Sequence, residues 1–287
     1  MKRLGVWLVL ASIPGWAVIR VPDEVKQGDT LRVIVEHARE GLRTSFAGRT
    51  VRIFRQPDGS GLGFVPVPVS QRPGRLAVKL IDESGGLLES AAVTVVDAQF
   101  LTQNIRATQS MKALTAEPGE LAAISRLFRT ASDERSWAEP FVAPTGACAN
   151  SPFGVQRLHN GKRTGAYHKG LDLHSQRGTP VRATAAGVVR ISRMYRLHGG
   201  TIGIDHGQGV TSLYIHLSKL IAADGARVEA GDVVGEVGST GFSTGPHLHW
   251  QVAVNGLPVN PLQWVPSIKP CSVPARRGKR AKGSPRR

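Results

Sequence analysis

Short runs rich in valine and isoleucine recur along this chain, each closed by a turn signal, and that punctuation limits the folds open to it. Thr30 to Glu36, Ala77 to Ile81 and Leu87 to Val96 are such runs. Val18 to Val21 and Thr50 to Phe54 complete the set in the first third of the chain. Gln27-Gly28-Asp29, Pro57-Asp58-Gly59 and Ser84-Gly85-Gly86 separate them. Runs of this length between Gly, Asp and Pro clusters predict strands joined by tight turns. With 33 glycines and 18 prolines and only 6% aromatic residues, the composition favours a β-rich protein over a helical bundle. Residues 18–98 are therefore expected to form a sandwich-like β module. It holds one histidine, His37, and no cluster of nucleophiles or metal ligands, so it reads as a packing, targeting or substrate-positioning unit.

The pattern changes between Ala107 and Ser132, where Met, Leu, Ala, Glu and Lys replace the β-branched residues. Leu121, Ile124, Leu127 and Phe128 fall on one face at helical spacing. Residues 99–144 are expected to be a helical linker of one or two helices. From 145 to 264 glycine is dense again. Gly187 to Met194, Thr201 to Asp205, Thr211 to His216, Asp232 to Val237 and His247 to Val254 read as strands of a mostly antiparallel second domain.

Composition excludes some classes outright. Hydrophobic residues make up 41% and charged residues 20% of the 287, which excludes a wholly disordered chain and a multi-span membrane protein. Lys2 and Arg3 followed by an apolar run from Leu4 to Ile13 and by Gly15-Trp16-Ala17 predict a signal peptide over residues 1–17, hence export to the periplasm or envelope, or secretion. The run is too short for a membrane span, which needs about 20 apolar residues. In an oxidising compartment the two cysteines, Cys148 and Cys271, are free to pair. The formal charge is +16, and Arg276, Arg277, Lys279, Arg280, Lys282, Arg286 and Arg287 supply seven of those charges. Residues 265–287 are expected to be a flexible basic tail that meets anionic envelope polymers or lipid. The tail lacks interleaved aromatics and the chain carries an export signal, so nucleic acid is not an expected partner; nor is a transmembrane protein.

Eight of the nine histidines lie between His159 and His249. His168 and Asp172 stand four residues apart around Gly170. In a straight strand they would be about 13 Å apart, so a shared metal requires a bend, for which Gly170 is the candidate. In His247-Leu248-His249 the two imidazoles point to the same side if the segment is a strand. His216 closes the run Leu213-Tyr214-Ile215-His216. These imidazoles and the carboxylate are candidate metal ligands or acid–base groups.

Those residues, with Ser151-Pro152-Phe153-Gly154 and the segment Gly241 to His249, resemble the zinc metallopeptidases of the LytM/lysostaphin type, peptidase family M23, which cleave peptide bonds in bacterial peptidoglycan. The resemblance covers residues 150–261. It implies a two-layer antiparallel sheet with a groove, one zinc held by His168, Asp172 and His249, and catalytic roles for His216 and His247. Asn150, Arg157 and Tyr214 are candidate substrate-binding residues, Arg157 through a bidentate contact to a carboxylate. Asp205 is a candidate for orienting a catalytic imidazole. His206 reads as structural, and His159 and His198 as ordinary surface groups. The competing function is a non-enzymatic wall-binding or hydrolase-activating protein whose zinc site is regulated or occluded by the linker.

Overall fold

The computed structural model describes residues 17–105, 108–109 and 113–271. The leader up to Trp16 and the basic stretch Arg276–Arg287 lie outside the described residues. The N-terminal β domain is two facing sheets. One orders Val18–Arg20, Thr30–Glu36, Gly61–Pro66 and Phe54–Arg55; the other orders Glu24–Lys26, Leu87–Val96, Gly74–Ile81, Arg43–Phe46 and Arg49–Arg52. In Thr30–Glu36 the alternate residues Leu31, Val33 and Val35 are fully buried in the core between the sheets while Arg32 and Ile34 face outward. Burying each such side chain contributes about 1.5–3 kcal/mol.

Gly61–Pro66, absent from the sequence reading, is buried along its whole length because both of its faces are covered. Val65 points into the sandwich core, whereas Leu62 and Phe64 point into the core of the second domain. Its glycines are steric requirements. A Cβ at Gly61 or Gly63 would stand 2.5 or 2.6 Å from the Ile53 side chain. Across this contact Phe64 meets Trp137 and Trp264 at ring-centre distances of 5.6 Å. The Gln263 carboxamide brackets Thr30, accepting from its N–H at 2.7 Å and donating to its carbonyl at 2.9 Å.

The second domain is built on a large antiparallel sheet. Its order is Ala149–Ser151, Leu171–Leu173, Leu248–Val254, Val210–Leu217, Gly200–Gly207, Gly187–Met194 and Arg227–Val228, with Leu257–Val259 added beside Leu248–Val254. A small sheet, Pro180–Arg182, Val233–Glu236 and Lys219–Leu220, makes a second layer. Alternation assigns the faces. Leu171, Leu173, Leu248, Trp250, Val252 and Tyr214 enter the main core, and Asp172, His249 and Gln251 stand at the alternate positions.

The linker is more integrated than a spacer. Thr102–Ile105 pairs in parallel with Gln156–His159, extending a hairpin completed by Lys162–Tyr167. Among the described residues the linker contributes one described helix, Glu120–Phe128. Ile124, Leu127 and Phe128 pack on Ile191, Tyr195, Leu213, Ile215 and Ala253, covering part of the same sheet face that carries Asp172 and His249. Trp137 and Phe141 then join the main core. No helix among the described residues is long and apolar enough to cross a membrane.

The expected tail begins too early. Val265 and Ile268 are buried in the main core, and Cys271 is bonded to Cys148. The pairing follows from local backbone geometry, because Ala149 N–H donates to Lys269 and Cys271 N–H donates to Ala149, laying the two segments side by side. In the chain-entropy view a bridge closing so long a loop contributes about 5 kcal/mol.

Candidate active site

Asp172 and His249 are direct cross-strand partners on adjacent strands, so the sheet register itself sets carboxylate beside imidazole. His168 lies just ahead of the strand Leu171–Leu173, where the chain has turned, and its Nε2 stands 2.9 Å from Asp172 Oδ1 and 3.0 Å from His249 Nδ1. The part played by Gly170 is space rather than bending. A Cβ there would lie 2.4 Å from the Trp250 carbonyl and 2.7 Å from His249 Nε2. One ligand atom from each of His168, Asp172 and His249 lies within 4.8 Å of the others.

The donor chemistry fits zinc. His168 donates Nδ1–H to the Pro152 carbonyl at 2.8 Å, which leaves the Nε2 lone pair for the centre. The Gln251 carboxamide lies 2.8 Å from His249 Nε2; with its oxygen turned to the ring it accepts Nε2–H and frees Nδ1. Burial acts to raise the Asp172 carboxyl, but its contacts with the His168 and His249 rings outweigh it and hold the group well below the usual carboxylate range. Burial pushes His249 down to about 4, against the pull of Asp172. A buried carboxylate beside two imidazole nitrogens is the donor pattern a divalent cation requires.

His216 and His247 complete the set, with ring centres 5.0 Å apart. Each is oriented through Nδ1, His216 by donation to the Thr240 carbonyl at 2.8 Å and His247 by donation to the Gly245 carbonyl at 2.8 Å. Nε2 of each is therefore the atom left to act in the cleft. Burial, and next the neighbouring His249 and His247, push His216 down to about 3, so its imidazole is neutral near pH 7. The cleft is about 290 Å³ and is lined by Arg157, Tyr167, Lys169, Leu197, His198, Ile215, Phe242, Thr244 and Gln251 besides the site residues. Among the described residues none of its lining comes from the N-terminal domain or from 99–144.

His216 reaches the cleft by a backbone irregularity. In an unbroken strand it would share a face with Tyr214, which is fully buried in the main core. His216 has φ of 66°, in the left-handed region, and it swings to the side of Ile215 while Leu217 returns to the core. Tyr214 is consequently not a substrate-binding residue; its hydroxyl is 2.9 Å from Thr184 N and 3.0 Å from Ser212 Oγ.

Four other expectations need correction. Asp205 orients no catalytic imidazole: its carboxylate accepts from Ser132, Gly207 N–H and Arg190, far from the ligand set in the hydrogen-bond network. Asn150 is exposed and is not among the described residues lining the cleft, and its buried neighbour Ser151 is the residue near His168. Arg157 lines the cleft, but its guanidinium donates to Asp172 Oδ2 at 3.1 Å and to Ser151 at 3.2 Å, so it braces a metal ligand. His206 is structural as expected, between Ala186 and Ser212, with burial pushing it down to about 4. His198 is not an ordinary surface group, for it lines the cleft. Nothing in its sequence neighbourhood marked it, because the partner that holds it lies on the distant helix.

The family model described as peptidase family M23 matches residues 166–261, the segment that carries all five site residues. The chain belongs to peptidase family M23. It is 47% identical over 113 residues to the DD-carboxypeptidase/endopeptidase Mpg of Neisseria meningitidis serogroup B, covering 39% of this chain and 26% of the relative. It is 39% identical over 114 residues to the peptidoglycan DD-endopeptidase ShyA of Vibrio cholerae, covering 40% and 26%. The chain thus spans about a quarter of the length of these curated relatives. A crystal structure from Pseudomonas aeruginosa assigned to peptidase M23 matches with a TM-score of 0.61 at 28% identity, over 82% of this chain and 92% of that one. Its likeness therefore extends well beyond the family-matched segment.

Proposed function

We propose that this chain is a zinc-dependent endopeptidase that hydrolyses peptide cross-links of bacterial peptidoglycan. The observation that carries the reading is the convergence of His168 Nε2, an Asp172 oxygen and His249 Nδ1 with two further imidazoles facing one cleft. The residues fit zinc, which when bound there would acidify a water and polarise the scissile carbonyl. His216 and His247 would take and return the proton through Nε2, since each Nδ1–H is committed to a backbone carbonyl. In its N–H form either ring can also donate to the oxyanion of the transition state. Glycosidic cleavage would instead call for two carboxylates flanking the bond, and Asp172 is the only carboxylate among the described residues lining this cleft. The names of the two curated relatives support D-amino-acid cross-links as the target class. The leader sequence supports export, and the basic terminal segment supports retention at the envelope.

Digestion of chemically defined wall fragments, with mass analysis of the new ends, tests the reaction. New amine and carboxylate ends at a D-alanine-containing cross-link are expected. New reducing sugar ends with every amide intact would refute it.

A further inference from the structure

Glu120 is a carboxylate with no exposed surface on the helix that precedes the family-matched segment. Its Oε1 accepts from His198 Nδ1–H at 2.6 Å, from His198 N–H at 2.8 Å and from Leu197 N–H at 3.1 Å, and Oε2 accepts from Glu117 N–H at 2.9 Å. The charge is fully satisfied, and most of its donors come from one turn of the second domain. Charge-assisted bonds of this kind are the stronger class, so the turn is held by an element outside the peptidase segment.

That turn is part of the catalytic architecture. Leu197 and His198 line the cleft. The His198 carbonyl accepts the backbone N–H of His216 at 3.0 Å, at the residue whose left-handed backbone brings its imidazole to the site. The Leu197 carbonyl accepts from Phe242 N–H at 2.7 Å, tying down the loop whose Thr240 carbonyl orients His216 Nδ1. Packing leaves little slack, because a Cβ at Gly241 would stand 2.4 Å from the Leu197 carbonyl. With Nδ1–H committed to Glu120, the polar atom left on the His198 side chain is Nε2, a group able to hydrogen-bond the backbone of an extended peptide.

We propose that Glu120 is a positioning residue for the cleft and His198 a substrate-binding residue that it orients, so that the linker helix completes the peptidase site. The kinetic part rests on the endopeptidase reading; the orientation of His198 does not. The full-length zinc-loaded protein and its variants Glu120→Gln, His198→Ala and the double variant test it on a defined peptide cross-link. His198→Ala should raise KM about tenfold with kcat little changed, the mark of an interaction equal in ground and transition states. Glu120→Gln should raise KM by a similar factor and also lower kcat about tenfold, because His216 loses its brace, while zinc content stays at the wild-type level. The double variant should show a KM no higher than Glu120→Gln alone, as expected of two residues acting as one unit. Multiplying KM effects, or loss of zinc in Glu120→Gln, would overturn the proposal.

Nitrogen-15 NMR of the His198 ring gives a readout independent of activity. The wild type should carry the proton on Nδ1, and Glu120→Gln should release that preference. A wild-type ring protonated on Nε2 alone would refute the orientation. If the wild type cuts no peptide yet His198 shows the Nδ1–H form, the endopeptidase reading fails and the positioning of His198 stands.

Discussion

The two domains are both built from short, mostly antiparallel strands, but they differ in what they bury. Among the described residues of the N-terminal sandwich the buried polar side chains are Thr30 and Thr44, small hydroxyls within an otherwise apolar core. The second domain buries His168, Asp172, His206, His216 and His249. Burying ionisable groups costs stability unless they are paired, and here every one of them has a hydrogen-bond partner. The comparison teaches where to look for chemistry. A sheet that tolerates charge at inward positions is kept for what the charge does, and a sheet that excludes it holds shape. The interface joins the two kinds: Phe64 and Leu62 of the first domain extend the apolar core beneath the reactive face of the second.

The strongest way to break this contrast is at the metal ligands. Asp172→Ala should lose most of its bound zinc and at least about 10²-fold in hydrolysis, since removing even an outer partner of a metal ligand costs 10–100-fold. Stoichiometric zinc by metal analysis in that variant would show that the ligand set is different. His216→Ala separates chemistry from binding. It should retain its zinc and lose on the order of 10²–10⁴ in kcat, measured on the same peptide.

A third substitution probes the other domain. Leu31→Ala opens a cavity at a fully buried position of the sandwich, and should cost about 2–5 kcal/mol in denaturant unfolding. Zinc content and kcat per folded molecule should not change; a parallel fall in kcat would mean that the sandwich shapes the cleft. Tyr214→Phe has the smallest expected effect and the sharpest meaning. It strands the buried Thr184 N–H, so stability should fall by about 1–3 kcal/mol, with kcat/KM within about twofold of wild type because the hydroxyl lies in the core. A large kinetic loss would return Tyr214 to the site.

The elements legible in the sequence were those rich in β-branched and aliphatic residues. Thr30–Glu36, Gly187–Met194 and Leu87–Val96 fall where the β-branched runs predict them. Arg43–Phe46 and Lys162–Tyr167 are polar and were missed, because cross-strand partners rather than their own side chains stabilise them. Gly61–Pro66 was missed because Gly61 and Gly63 weaken its strand signal, and they are there to let Ile53 approach.

The sequence by itself determined the ligand types, their spacing and the family, since His168, Asp172, His216, His247 and His249 sit in local motifs whose chemistry is carried by residue identity. It also identified the two cysteines that pair. Only the tertiary structure decided which neighbours serve them. Tyr214 and His216 are two residues apart, and the left-handed backbone at His216 sends one to the core and the other to the cleft. Glu120 and His198 are 78 residues apart, and the helix packing that brings them to 2.6 Å leaves no trace in either local sequence. Local motifs encode what a residue can do; contacts between distant segments depend on how whole faces pack, which no short window of sequence contains.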